Sequence, residues 1–310
     1  MRTSAGAGLR NWQLFAFALL VWGTTWHAIV YQLAHTSAPF GVALRLTLAG
    51  AVLLAYARWR GISLRVGARA HAWLAVQGLF MFSLSYLCTY SAVQHVPSGL
   101  VAVGYSASPL ITGLCAWLLW RRTPTPRFVL GGVLGLIGVA LIFQREFAQA
   151  SASVGMLQGA MFTLAAVVLS AAGSLMATRN AGDGLALWPA LGLSMLYSSV
   201  LSWIVAAVEG QAVPWPLPPS WWLSLAYLTL VGSALVFASY LVLQQRIGAG
   251  PASTVGAATP VLALAMSTAF EGYQPQALAI VGVVLAVAGN ALALGWGARP
   301  SPASAPGPGP

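Results

Sequence analysis

The chain has 310 residues, 59% of them apolar and only 6% charged, with fourteen Arg, no Lys and four acidic residues giving a formal net charge of +10. A soluble domain carries about 25% charged residues, so this composition, with a mean hydropathy of +0.81, excludes a soluble enzyme and describes one integral membrane domain. The basic surplus sits in short segments between apolar runs, where it reads as membrane topology rather than as a nucleic-acid-binding face.

Runs of about 20 apolar residues cross a hydrocarbon core about 30 Å thick. Ten are predicted, at 12–32, 38–57, 71–93, 97–120, 127–144, 154–178, 186–208, 220–245, 251–271 and 275–297. The run after Arg10 stays apolar to about Val30 without a clear small-residue cleavage site, so it reads as the first span rather than a secretory signal. The second span holds Arg45, the one Arg within a predicted span. Polar residues gather in the third (Gln77, Ser83, Tyr86, Tyr90) and the eighth (Ser239, Tyr240, Gln244). The fourth and ninth carry Pro109 and Pro260, and the fifth and tenth carry spaced glycines. Trp12, Trp59, Trp73, Trp120, Trp188, Trp215, Trp221, Trp222 and Trp296 fall near span ends, where an indole suits the headgroup boundary. Residues 298–310 are Pro, Ala, Gly and Ser with one Arg, which predicts a disordered cytoplasmic tail. Cys88 and Cys115 lie in apolar runs and read as small hydrophobes.

Adding 151 to Pro109, Pro124, Gly131, Leu134, Gly138 and Ala140 lands on Pro260, Pro275, Gly282, Leu285, Gly289 and Ala291. Just upstream an offset of 154 pairs Ser85, Tyr86, Leu87 and Pro97 with Ser239, Tyr240, Leu241 and Pro251. The segments 12–144 and 154–297 therefore read as one five-span unit repeated. With the N-terminus inside, twelve of the fourteen Arg residues fall in inner segments, only Arg145 in an outer loop, and Glu146, Glu209 and Glu271 at the outer face. Both termini are expected to be cytoplasmic. Five is odd, so the two units cross in opposite senses, and the expected fold class is an all-α membrane protein with ten transmembrane helices as two inverted five-helix repeats.

Val21-Trp22-Gly23-Thr24-Thr25-Trp26 in the first span, Ala43-Leu44-Arg45-Leu46 in the second, Pro109-Leu110 and Pro260-Val261 in the fourth and ninth, Glu271-Gly272 closing the ninth, and the glycine-spaced fifth and tenth stand in an order that resembles the EamA type of the drug/metabolite transporter superfamily. The resemblance spans about residues 12–297. It implies a ten-helix carrier with a central cavity, termini inside, and export or exchange of small metabolites or drugs at the inner membrane. Family members often carry an acidic residue at the end of span four; Trp120 stands there in this chain, so a mechanism needing that carboxylate does not carry over.

The candidate substrate-binding residues are Arg45, His27, Tyr86, Tyr90, Tyr105, Ser108, Pro109, Tyr240, Thr259 and Pro260. Pro109 and Pro260 lie about 12 and 9 residues into their predicted helices, near mid-membrane. Each removes an amide donor and frees the carbonyl one turn earlier, of Tyr105 or Gly256. Substrate, water or nearby Ser106, Ser108 and Thr259 could answer it, or neighbouring helices could satisfy a structural kink. Arg45, about 9 Å below the outer interface, has three readings: snorkelling or pinning helices through backbone carbonyls, binding a substrate carboxylate, or pairing with Glu271. His27, at similar depth, reads as a packing or cavity histidine, a substrate contact or a proton-coupling group. The tyrosines offer an apolar ring with a hydroxyl tip to an amphiphilic solute, or else bond between helices. Gly131, Gly135, Gly138, Gly282 and Gly289 suit close helix packing and would also permit a helix-packed homodimer; Asn290 reads as interhelical glue.

No catalytic residue, cofactor or metal is expected, because scattered His27, His35, His71 and His95 and four acids form no constellation at one depth. The rivals to a carrier are a passive channel or non-transporting scaffold and, further off, an intramembrane transferase. The expected partners are a small-molecule substrate and the lipid bilayer, with no nucleic acid.

Overall fold

The computed structural model describes residues 9–96, 101, 104–121, 123–142, 144, 154–210, 213, 215–270 and 277–294, without the side chains of 26, 27, 30 and 263–270. The helices are α1 (Asn11–Leu33), α2 (Ala38–Trp59), α3 (Ala68–His95), α4 (Ser108–Trp120), α5 (Pro126–Ile142), α6 (Val154–Gly182), α7 (Leu187–Glu209), α8 (Pro219–Ile247), α9 (Ala249–Phe270) and α10 (Ala277–Ala293), and no strand occurs among the described residues. Five of them, α2, α3, α6, α7 and α8, are long and apolar enough to cross a membrane, and α4, α5 and α10 are shorter apolar helices. α1 and α9, of 23 and 22 residues, reach about 33–35 Å at 1.5 Å per residue.

Local chemistry sets the helix ends. Ser37 caps α2, its Oγ accepting from the Phe40 amide at 3.4 Å, with Pro39 in the first turn where a missing N–H costs nothing. α7 stops at Gly210 (φ 62°) and α8 at Gly248 (φ 92°), left-handed positions that glycine takes without a Cβ clash.

α3 and α8 share an irregularity that the sequence does not announce. Each runs for 11 residues as an α-helix and then loosens into a π-helical stretch, Leu79–Leu84 in α3 and Leu230–Leu235 in α8. The two stretches stand 151 positions apart, whereas the Ser-Tyr-Leu motifs beside them stand 154 apart. Tyr86 and Tyr240, equivalent by sequence, therefore sit about one turn apart relative to the loosened stretch.

The packing follows a two-fold pattern. α5 packs on α10 and α2 on α7; α3 on α6 is matched by α8 on α1, α4 on α6 by α9 on α1, and α3 on α7 by α8 on α2. Exchanging each helix for the one five places along returns the same set. A Cβ placed on Gly131 would stand 2.5 Å from the Gly289 carbonyl oxygen, and one on Gly138 would stand 2.6 Å from that of Gly282. Numbering rises along α5 as it falls along α10, so the two helices cross antiparallel. α2 and α7 do the same: the Phe40 and Trp203 rings are 5.6 Å apart and those of Tyr56 and Trp188 4.7 Å. The glycines thus serve close packing, as expected. They are consumed inside the chain, however, so these faces are not free to hold a second copy.

Two expectations are corrected. Pro109 does not kink a continuous fourth helix: Ser106 and Ala107 form a turn, and Pro109 is the second residue of α4, a position that tolerates proline because its amide would have no intrahelical partner. Pro260 lies inside the continuous α9. The prolines match in sequence but not in helix geometry. Trp221 is not a boundary indole; it is fully buried among Leu217 and Leu225, and its Nε1 donates to Thr36 Oγ1 at 3.2 Å.

Candidate functional site

Where the two halves meet, the helices leave a cavity of about 1020 Å³ of empty space, counted out to its mouth. Regular helix faces build its walls. α1 presents Trp22, Thr25 and Ile29, and α6 presents Val167, Ser170, Ala171 and Ser174, in each case residues three, four or seven apart that share one face. α4 contributes Ser108 and Thr112, with Tyr105 just before it, and α9 contributes Ser253, Gly256 and Thr259. The repeat-related pairs Tyr105 and Gly256, and Ser108 and Thr259, face the same space.

Arg45 of α2 forms one wall and is only 3% exposed. Its Nε donates to Ser233 Oγ at 2.7 Å, and its Nη2 donates to the Gly232 carbonyl at 2.7 Å and to Tyr86 Oη at 3.4 Å. Its guanidinium carbon lies 4.8 Å from the centre of the Tyr86 ring. Gly232 and Ser233 belong to the π-helical stretch of α8, so this side chain ties α2 to the irregular part of α8. This is the carbonyl-pinning arrangement, achieved on protein rather than on headgroups. Burying a cation costs several kcal/mol unless it is compensated, and Arg45 here contacts neutral dipoles and a ring face.

The aromatic wall is one cluster. Trp22 packs on Phe237 at 5.3 Å and on Tyr240 at 5.0 Å between ring centres, and Phe237 on Phe82 at 4.8 Å. Hydroxyls rim it. Thr89 donates to the Ser85 carbonyl at 2.8 Å, which leaves it to accept from Tyr105 Oη at 2.9 Å. Ser108 Oγ donates to the Tyr105 carbonyl at 2.6 Å, so the carbonyl that Pro109 cannot serve is answered one residue away. Thr259 Oγ1 donates to the Val255 carbonyl at 3.1 Å, not to that of Gly256.

Of the residues singled out from sequence, Arg45, Tyr86, Tyr90, Tyr105, Ser108, Tyr240 and Thr259 line the cavity. Pro109 and Pro260 are buried but are not part of its lining. His27 falls within α1, but its side chain lies outside the described residues, as does Glu271. Gln77, Ser83 and Gln244 stand away from the cavity as interhelical ties: Asn180 Nδ2 donates to Gln77 Oε1 at 2.8 Å, Ser83 meets Ser202 at 3.0 Å, and Gln244 Nε2 donates to the Ser174 carbonyl at 2.7 Å. Asn290 donates to the Ala286 carbonyl of its own helix at 3.0 Å rather than across helices. Sequence reasoning missed Thr25, Ser170, Ser174 and Phe237; the three-and-four spacing of small hydroxyls along α6 was the available signal.

The sequence profile described as the EamA-like transporter family matches the chain twice, over residues 11–144 and 157–295. The chain is 24% identical over 279 residues to the uncharacterized transporter YvbV of Bacillus subtilis (strain 168), covering 88% of each. It is 26% identical over 259 residues to the uncharacterized inner membrane transporter YedA of Escherichia coli (strain K12), covering 83% of this chain and 81% of that one. A solved structure entitled "Crystal structure of protein" superposes with a TM-score of 0.73 at 22% identity, over 90% of this chain and 94% of that one, which shows a shared fold.

Proposed function

The chain belongs to the EamA-like transporter family, a multi-pass membrane transporter, and from that premise we propose that it is a secondary carrier that moves a small organic solute through the cavity by alternating access. The observation that carries this reading is that both halves line one cavity, with repeat-related positions, Ser108 and Thr259 among them, together in its wall. In this reading α1 to α10 are ten transmembrane spans and segments 12–144 and 154–297 are inverted repeats, supported by the antiparallel α2–α7 and α5–α10 pairs. Both termini face the cytoplasm of a cell whose inner membrane holds the protein, and the natural direction is export or exchange.

The solute contacts proposed are Arg45, Tyr86, Tyr90, Tyr105, Ser108, Tyr240 and Thr259, with Pro109 and Pro260 shaping the helices behind them. No step calls for covalent chemistry. A carrier shows saturable flux stimulated by solute on the far side, and reconstituted full-length protein with that behaviour supports the reading. Flux that stays linear with concentration and ignores the far side would make the protein a channel.

A further inference from the structure

Among the described residues, the cavity holds one positive charge, Arg45, with no acidic side chain paired to it. Arg45 spends Nε and Nη2 on neutral acceptors, and its Nη1 has no hydrogen-bond partner among the described residues. No Asp or Glu is among the described lining. Of the described acids, Asp183 pairs with Arg179 at 3.1 Å, and Glu209 is the last residue of α7, a helix that contributes nothing to the described lining. A second group is also unfinished. The hydroxyl of Tyr90 lines the same cavity, is 1% exposed, makes no hydrogen bond within 3.5 Å, and stands near enough to Arg45 to feel both its charge and its N–H donors. A buried hydroxyl without a bond is destabilising, and so is a buried cation without a counter-charge. One ligand group would relieve both.

Resting on the carrier reading above, we infer that the solute is an amphiphilic monoanion whose carboxylate is held by Arg45 Nη1 and the Tyr90 hydroxyl, with its apolar body against Trp22 and Phe237. Two guanidinium N–H groups and one O–H make three donors, which suits the two oxygens of one carboxylate. A phosphate dianion would bring a second negative charge with no second cation in the described wall to meet it. An amine, or the ammonium of an amino acid, would bring a positive charge beside Arg45 with no carboxylate in the described wall. The aromatic faces supply apolar area to the rest of the molecule.

The test uses the full chain in lipid nanodiscs and three probes that share a phenylpropyl body: 3-phenylpropanoate, phenylalanine and 3-phenylpropylamine, each measured by equilibrium dialysis at neutral pH. Saturable binding is expected for the anion, at least about tenfold tighter than for the amino acid, and none for the amine. Arg45→Gln abolishes it. Because Arg45 also ties α2 to α8, Tyr90→Phe is the deciding variant: it removes an unpartnered hydroxyl, keeps the thermal unfolding midpoint, and weakens the anion about tenfold. Binding of the amine or amino acid as tight as the anion, failure of the anion to bind, or an unchanged affinity in a folded Tyr90→Phe protein overturns the inference. Counterflow of the bound anion tests the carrier reading separately. An anion that binds with this preference but is never exchanged leaves the site standing and removes the carrier.

Discussion

Arg45 of α2 reaches the Gly232 carbonyl of α8 at 2.7 Å, while in the matching contact of the other half, α7 on α3, Gly78 packs against the Ser194 backbone. One side of the two-fold is held by a charged fork and the other by close backbone approach together with neutral side-chain bonds such as Ser83 with Ser202. The fork bonds two atoms of the π-helical stretch at once, and a lysine ammonium cannot copy that geometry. Arg45→Lys should therefore lower stability by about 1–3 kcal/mol, and Ser233→Ala by about 1 kcal/mol, both read as a lower thermal midpoint of purified protein. A lysine variant as stable as the parent would show that the α2–α8 tie carries little.

The α5–α10 seam predicts a sharp difference between neighbouring glycines. A Cβ on Gly138 meets backbone of α10 at 2.5 Å, whereas one on Gly135 has nothing within 4 Å. Gly138→Leu should cost at least about 1–3 kcal/mol through overpacking. Gly135→Ala should change stability by less than about 1 kcal/mol, in the stabilising direction. Thermal unfolding in one detergent compares the two, and equal effects would mean that the seam is looser than drawn.

Pro109 and Pro260 should respond differently despite their matched places in the repeat. Pro109 opens α4, so Pro109→Ala costs at most about 1 kcal/mol and leaves exchange near the parent rate. Pro260→Ala restores an amide that can bond the Gly256 carbonyl, stiffening α9 where Gly256 lines the cavity. Solute exchange should slow in that variant while expression stays normal. Equal transport by both variants would make Pro260 a tolerated kink.

The distribution of Arg predicts topology. A reporter active only in the cytoplasm should work when fused after residue 297 and at the N-terminus, and a periplasmic reporter should work in the segment holding Glu209. A periplasmic C-terminus would contradict both the span count and the inversion.

The helices were legible in the sequence because a bilayer allows few alternatives: the predicted 38–57 appears as 38–59 and the predicted 186–208 as 187–209. The glycine seam was legible because only small residues let backbones touch. The π-helical stretches were not, since Leu79–Leu84 and Leu230–Leu235 are mostly apolar runs with no proline or other helix-interrupting signal that sets them apart from the spans around them. The break before α4 was misread for a related reason. Proline signals that a helix is interrupted but not on which side of it the chain turns, and Ser106 and Ala107 take the turn ahead of Pro109. Arg45 was found by its cost in a membrane, but its two closest acceptors, Ser233 and the Gly232 carbonyl, could not be, because they come from a helix 187 residues away.

The most direct test of the carrier account is the two-sided accessibility of a cavity residue. Ser170 lines the cavity from α6 and is half-buried, so a Ser170→Cys protein with Cys88 and Cys115 replaced by Ser can be labelled by a membrane-impermeant thiol reagent added to one face at a time. The account predicts labelling from either face, with a transported solute raising the rate from one face as it lowers the rate from the other. Labelling from one face only, or rates that rise and fall together on both faces, would contradict it.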